Sequence, residues 1–130
     1  VGNDTLNGGL GADTFVFTNE DVDTINGFSV SPTADVFAIT SSAYTGAPAP
    51  GAAVVSTAVA AANAANSIVV DTSANITALG ATKFNIRFAY ATDTRQFLYD
   101  TDSDWSTSNT LIATTTNTLT GLTAANFAFI

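Results

Sequence analysis

The chain contains no cysteine, no histidine and no methionine. Without cysteine there is no disulfide and no thiolate metal site. Without histidine the usual general base and the usual transition-metal ligand are both missing. Without methionine the chain does not begin at an initiator residue. It opens in the middle of a repeat, as a C-terminal fragment of a longer protein would. Positive charge is scarce: Lys83, Arg87 and Arg95 face ten Asp residues and Glu20, for a net charge of −8. That balance speaks against nucleic acid or an anionic membrane as a partner, and it favours cations. No apolar run approaches the ~18 residues of a transmembrane segment.

What is present is a core. Hydrophobic residues make up 46% of the 130 residues, with nine Phe, three Tyr and one Trp. This is too apolar for disorder and long enough for one globular domain. Phe15, Phe17, Phe28, Phe37, Phe84, Phe88, Phe97, Phe127 and Phe129 fall at strand spacing and read as interior residues.

The most specific stretch is Gly8-Gly9-Leu10-Gly11-Ala12-Asp13-Thr14-Phe15-Val16, which reads G-G-x-G-x-D-x-U-x with U a large apolar residue. Nine residues earlier the same phase runs through Gly2, Asp4, Thr5 and Leu6, aligned with Gly11, Asp13, Thr14 and Phe15. Two matches in register outweigh the reading of one Gly-rich turn before a strand. The glycines permit positive φ and close approach of neighbouring turns. Asp favours turns and carries a hard oxygen on a short side chain, as a metal site in a loop requires.

This pattern resembles the calcium-binding β-roll repeat of the RTX (hemolysin-type) proteins. The resemblance implies Ca2+ held between turns stacked two repeats apart. The turn of Asp4 then stacks on the Asp21–Asp23 region, and the turn of Asp13 on residues 31–35, where Asp35 is the acid. The implied metal set is Gly2, Asn3, Asp4, Gly8, Gly9, Gly11, Asp13, Asp21, Asp23 and Asp35. Asp23-Thr24-Ile25-Asn26-Gly27-Phe28 is similar to the D-T-I-x-D-F segment that follows RTX repeats, with Gly27 in place of an acid. The chain end, through Phe97-Leu98-Tyr99-Asp100, Leu111-Ile112-Ala113-Thr114 and Leu122-Thr123-Ala124-Ala125-Asn126-Phe127, resembles the terminus of RTX proteins exported by type I secretion. The middle is similar to the C-terminal domain of cyanobacterial surface proteins called bluetail.

The remaining pattern predicts strands at Thr14–Phe17, Asp35–Ile39, Ser67–Asp71, Phe84–Tyr90, Gln96–Tyr99 and Thr110–Thr114. A short Ala-rich helix is expected over Ser56–Asn66, and a helical turn over Ser73–Leu79, capped by Ser73. Phe84, Ile86, Phe88 and Tyr90 alternate with Asn85, Arg87 and Ala89, as in a half-buried hairpin arm. Phe127–Ile130 should dock as a strand beside that arm or its hairpin partner. The fold expected is mainly β: a short parallel β-roll stub continuing into an antiparallel sheet or sandwich, with one or two short helices. A single domain divides into the roll end (1–39), an Ala-rich region (40–83) and a hairpin with a secretion-type cap (84–130).

Asp100, Asp102 and Asp104 alternate as in the first half of an EF-hand loop, which makes them weaker metal candidates. Trp105 and Leu111 stand where that motif needs Gly and Glu. The alternative is a solvated loop held by side-chain to backbone hydrogen bonds. No histidine activates the many Ser and Thr residues, and no motif sets Lys83 beside a serine, so enzyme activity is not expected. The function expected is that of a calcium-binding, non-catalytic C-terminal module of a type I-secreted extracellular or cell-surface protein. Its partners would be calcium ions and the secretion machinery. The alternatives are a surface-layer or filament subunit that self-assembles through strand edges, and the tail of a secreted hydrolase.

Overall fold

A computed structural model describes residues 2–59, 62, 66–81 and 85–130. The described residues are mainly β, in two sheets. The strands are β1 (Thr5–Asn7), β2 (Thr14–Phe17), β3 (Asp23–Asn26), β4 (Val36–Ile39), β5 (Val55–Thr57), β6 (Ser67–Asp71), β7 (Phe88–Ala91), β8 (Gln96–Tyr99), β9 (Thr110–Thr115) and β10 (Phe127–Phe129), with an α-helix, α1 (Ser73–Thr77), and short 3-10 turns at Ser41–Ala43 and Ala124–Asn126. The larger sheet runs β1-β3-β9-β8-β7-β6-β5 and the smaller β10-β4-β2. No helix among the described residues is long and apolar enough to cross a membrane.

The chain alternates between the two sheets as a roll requires. β1 pairs with β3 in parallel, Thr5 opposite Thr24, and β2 pairs with β4 in parallel, Thr14 opposite Val36. The third coil comes from the far end of the chain. β9 lies parallel to β3, with Ile25 opposite Thr115, and β10 lies parallel to β4, with Phe127 opposite Phe37. Residues 40–109 are thus an insertion between the second and third coils. β10 does not join β7 or β8, where docking was expected. Its partner is β4, although Phe127 and Phe129 do enter the core, at 4% and 3% exposure. The large sheet is also mixed rather than antiparallel. Only β7-β8 and β8-β9 run antiparallel, while β5-β6 and β6-β7 are parallel.

The core between the sheets is aromatic. The ring of Phe37 lies 4.3 Å from that of Phe28, 4.9 Å from Phe97, 5.6 Å from Phe127, 6.0 Å from Tyr90 and 6.1 Å from Phe17, centroid to centroid. Those neighbours come from all three coils and from the hairpin. Alternation along β7 sends Phe88 and Tyr90 into this core and Ala89 and Ala91 to the opposite face. That face is covered as well: Ile76 of α1, Ile86, Leu98 and Trp105 form a second apolar cluster with Val69 and both alanines. The β7 arm is therefore buried on both faces rather than half-buried. Phe84 lies outside the described residues.

Two local expectations are corrected. The start of the Ser56–Asn66 helix is instead strand β5, because β-branched Val55 and Thr57 pair with β6. Residues 60, 61 and 63–65 of that stretch lie outside the described residues. Helix α1 is capped by Thr72, whose side chain accepts the N–H of Asn75, and not by Ser73. Ser73 is tied instead by its N–H and hydroxyl to Asp93 in the β7-β8 turn.

Replacing Phe37 by Ala removes the ring that all three coils share. The expected cost is about 3–5 kcal/mol of unfolding free energy by denaturant titration. A loss under ~1 kcal/mol would mean that the aromatic stack is not the centre of the core.

Candidate functional site

The parallel pairing sets two columns of turns at opposite ends of the strands. At one end, residues 2–4 stack on 18–23. The N–H of Asp4 donates to Asp23 Oδ1 at 3.0 Å, 19 residues on. The N–H of Gly2 donates to Asp21 Oδ2, and the N–H of Val22 returns to Asn3 Oδ1 at 3.1 Å. At the other end, residues 8–13 stack on 27–35. The N–H of Asp13 donates to Asp35 Oδ1 at 2.9 Å, 22 residues on, and the N–H of Ser29 donates to Asp35 Oδ2 at 2.8 Å. Asp4 and Asp13 therefore stack where the repeat pattern placed them. Both spacings exceed two nonapeptides, the second by more because the turn before Asp35 is longer.

Each column uses its carboxylates differently. Asp35 is 1% exposed, and both of its oxygens accept backbone N–H groups. This is ordinary carboxylate chemistry in a tight turn, and it needs no ion. The third coil continues the column with Asn126, just before β10, whose Nδ2 donates to the Asp35 carbonyl at 3.0 Å. Asp13, Asp35 and Asn126 each immediately precede a strand of the small sheet. Asp13 differs from the other two. Its Oδ2 is buried and has no hydrogen-bond partner. A buried carboxylate oxygen without a donor is costly unless a cation or proton reaches it.

Gly8 makes room for that carboxylate. A Cβ on Gly8 would lie 2.7 Å from Asp13 Oδ2 and 3.1 Å from both Cβ and Cγ of Asp13. The requirement at Gly8 is space. At Gly9 and Gly11 it is backbone freedom, since φ is +89° and +118° with nothing within 4 Å. Gly9 and Gly11 stay at the exposed tip of the turn.

At the first column, a cavity of about 180 Å3 is lined by Gly2, Asp4, Asp21 and Asp23, together with Glu20 and Tyr44. Glu20 and Tyr44 are additions that the nonapeptide pattern does not contain. Tyr44 reaches the cavity from the 40–54 loop, and its hydroxyl accepts the N–H of Asn19 at 3.1 Å. Burial pushes the Tyr44 hydroxyl up to about 12, so it stays protonated beside the acids. Among the described residues no three acidic side chains converge on one point closely enough to form a metal cluster by themselves. Any ion here would draw on carbonyls and water as well, the usual mixture for calcium.

Asp100, Asp102 and Asp104 lie at the same end of the strands but on the other face of the large sheet, beside Trp105. There Asp100 Oδ1 accepts from the Asp102 and Ser103 amides, Asp102 Oδ1 from Asp104, and Asp104 Oδ1 from Ser106. That is the side-chain to backbone network of an Asp-rich loop.

Comparison with protein-family models, with curated proteins and with solved structures found no match.

Gly8→Ala should lower stability by about 1–3 kcal/mol, the range for overfilling a packed position, because three Asp13 atoms must shift together. Thermal unfolding checks it. A change of a few tenths would mean that Asp13 is free to turn away, and that its buried oxygen is no constraint.

Proposed function

We propose that this chain is a calcium-stabilised, non-catalytic C-terminal module of an extracellular or cell-surface protein exported by type I secretion. The observation that carries the reading is the buried, partnerless Oδ2 of Asp13 in a G-G-x-G-x-D turn stacked on Asp35. The donor set fits a hard cation, since every candidate ligand is an oxygen. On the Asp13 side the ion would be held by the Asp13 carboxylate and carbonyls of the Gly8–Gly11 turn. On the other side it would lie in the cavity lined by Asp4, Glu20, Asp21 and Asp23 and would draw on carbonyls and water beside their carboxylates. Asp35 would act as a second-layer support, its oxygens already engaged by amides.

The mechanism is linkage. An ion that binds only the stacked turns stabilises the folded state, and at a hundredfold excess over Kd the gain is about 2.7 kcal/mol. Where free calcium is scarce, the uncompensated acids of the two columns oppose coil stacking, and the chain stays open for export. Where calcium is plentiful, the folded state prevails.

A second reading, self-assembly at a surface, draws support from the strand edges. β1, β2 and β5 end their sheets, and Val16 on β2 is half-exposed, as is Val55 on β5. The terminal strand does not favour it, because the carbonyl of Phe129 accepts Gly51 N–H and that of Ile130 accepts Ser41 N–H.

The calcium reading predicts a Tm that rises by several degrees between zero and about 10 mM Ca2+ and falls again with EGTA. Asp13→Ala should blunt the rise. An unchanged Tm across that range would end the calcium reading. A full response in the variant would remove Asp13 from the site.

A further inference from the structure

Three of the buried polar atoms that lack partners belong to Arg87, Asp100 and Ser103, near the loop that follows β8. Asp100 is 0% exposed, and while its Oδ1 accepts two amides, its Oδ2 accepts nothing. Ser103 is 2% exposed. Its amide donates to Asp100 Oδ1 at 2.7 Å, which sets it in the same turn as that carboxylate, and its hydroxyl has no partner. The amide of Asp102 donates to the same Asp100 Oδ1 at 3.0 Å, which brings a second acid into the turn. A buried carboxylate oxygen with no donor requires a proton or a cation to offset its charge. Arg87 supplies one positive charge near Asp102 and donates to the Thr101 carbonyl, but Asp104 adds a third acid to the same loop.

We propose that Asp100, Asp102 and Ser103 form a hard-cation site of the calcium class, separate from the roll. Two carboxylates and a hydroxyl offer the hard oxygens such an ion prefers, with water completing the shell. Asp102 is exposed and leaves the site open to solvent. A proton on Asp100 would offset its charge but would leave the Ser103 hydroxyl unsatisfied. An ion serves both. The inference does not rest on calcium binding in the roll.

Trp105, the only tryptophan, is adjacent to Asp104 in the chain and buried, with Nε1 donating to the Ile86 carbonyl at 3.0 Å. It is therefore a built-in antenna for Tb3+, excited at the red edge of the indole band, where tyrosine does not absorb. Titrating the full chain with Tb3+ should give sensitised emission that Ca2+ displaces. Affinity should fall by about 10- to 100-fold in Asp102→Asn, the range for losing a shell group, and be unchanged in Asp13→Asn. Ser103→Ala should weaken binding in the same direction, and it keeps the test open if Asp102→Asn does not fold by near-ultraviolet circular dichroism. Absent emission, emission of equal affinity in the loop variants, or emission lost in Asp13→Asn would each overturn the proposal. So would a Trp105 fluorescence that titrates with acid and responds to neither ion, which would assign a proton to Asp100.

Discussion

The structure depends on one ring. Phe37 sits at 0% exposure between the sheets and touches aromatic rings from the first coil, the second coil, the third coil and the hairpin. A roll this short buries little on its own, because each coil contributes only a few inward residues. The aromatic cluster offsets that shortage by bringing Tyr90 and Phe97, from the insertion, under the same small sheet as Phe127. Tyr90 then closes the bottom of the core through its hydroxyl, 2.5 Å from the Thr115 hydroxyl on β9. Packing thus links the repeat-like and non-repeat parts into one cooperative unit.

The columns of turns follow from that stacking. Coils held at strand spacing bring the residue before each strand over its counterpart one coil away. A side chain of Asp or Asn there meets a backbone N–H or carbonyl of the neighbour. Asp35 and Asn126 use that opportunity, whereas Asp13 meets its neighbour through its backbone N–H and its buried Oδ2 has no partner. The same geometry therefore gives both Asp35 oxygens an amide partner and leaves Asp13 Oδ2 without one.

Much of the roll was legible in the sequence because its information is local and periodic. The nine-residue phase fixes which residues form turns, and it predicts the stacking partners of Asp4 and Asp13. The third coil was not legible. β9 and β10 lie far from β4 in the chain, Asn126 takes the place of an Asp, and no G-G-x-G-x-D precedes Phe127. Apolar alternation says that a strand is buried, but not which strand lies beside it. For the same reason Phe84–Tyr90 reads as one-sided: Ala89 is too small to signal a second core, which Trp105 and Ile76 create from elsewhere. Glu20 and Tyr44 join the acidic cavity only through tertiary placement. Ala-rich propensity after Ser56 lost to the pairing of Val55–Thr57 with β6.

The chain's last strand completes a third parallel coil on β4. Native-state hydrogen exchange checks this pairing. The β10 amides are expected to exchange with those of β4, in the slowest class and at the rate of global unfolding. Exchange of the β10 amides at the rate of the 44–54 loop, while β4 stays protected, would contradict it.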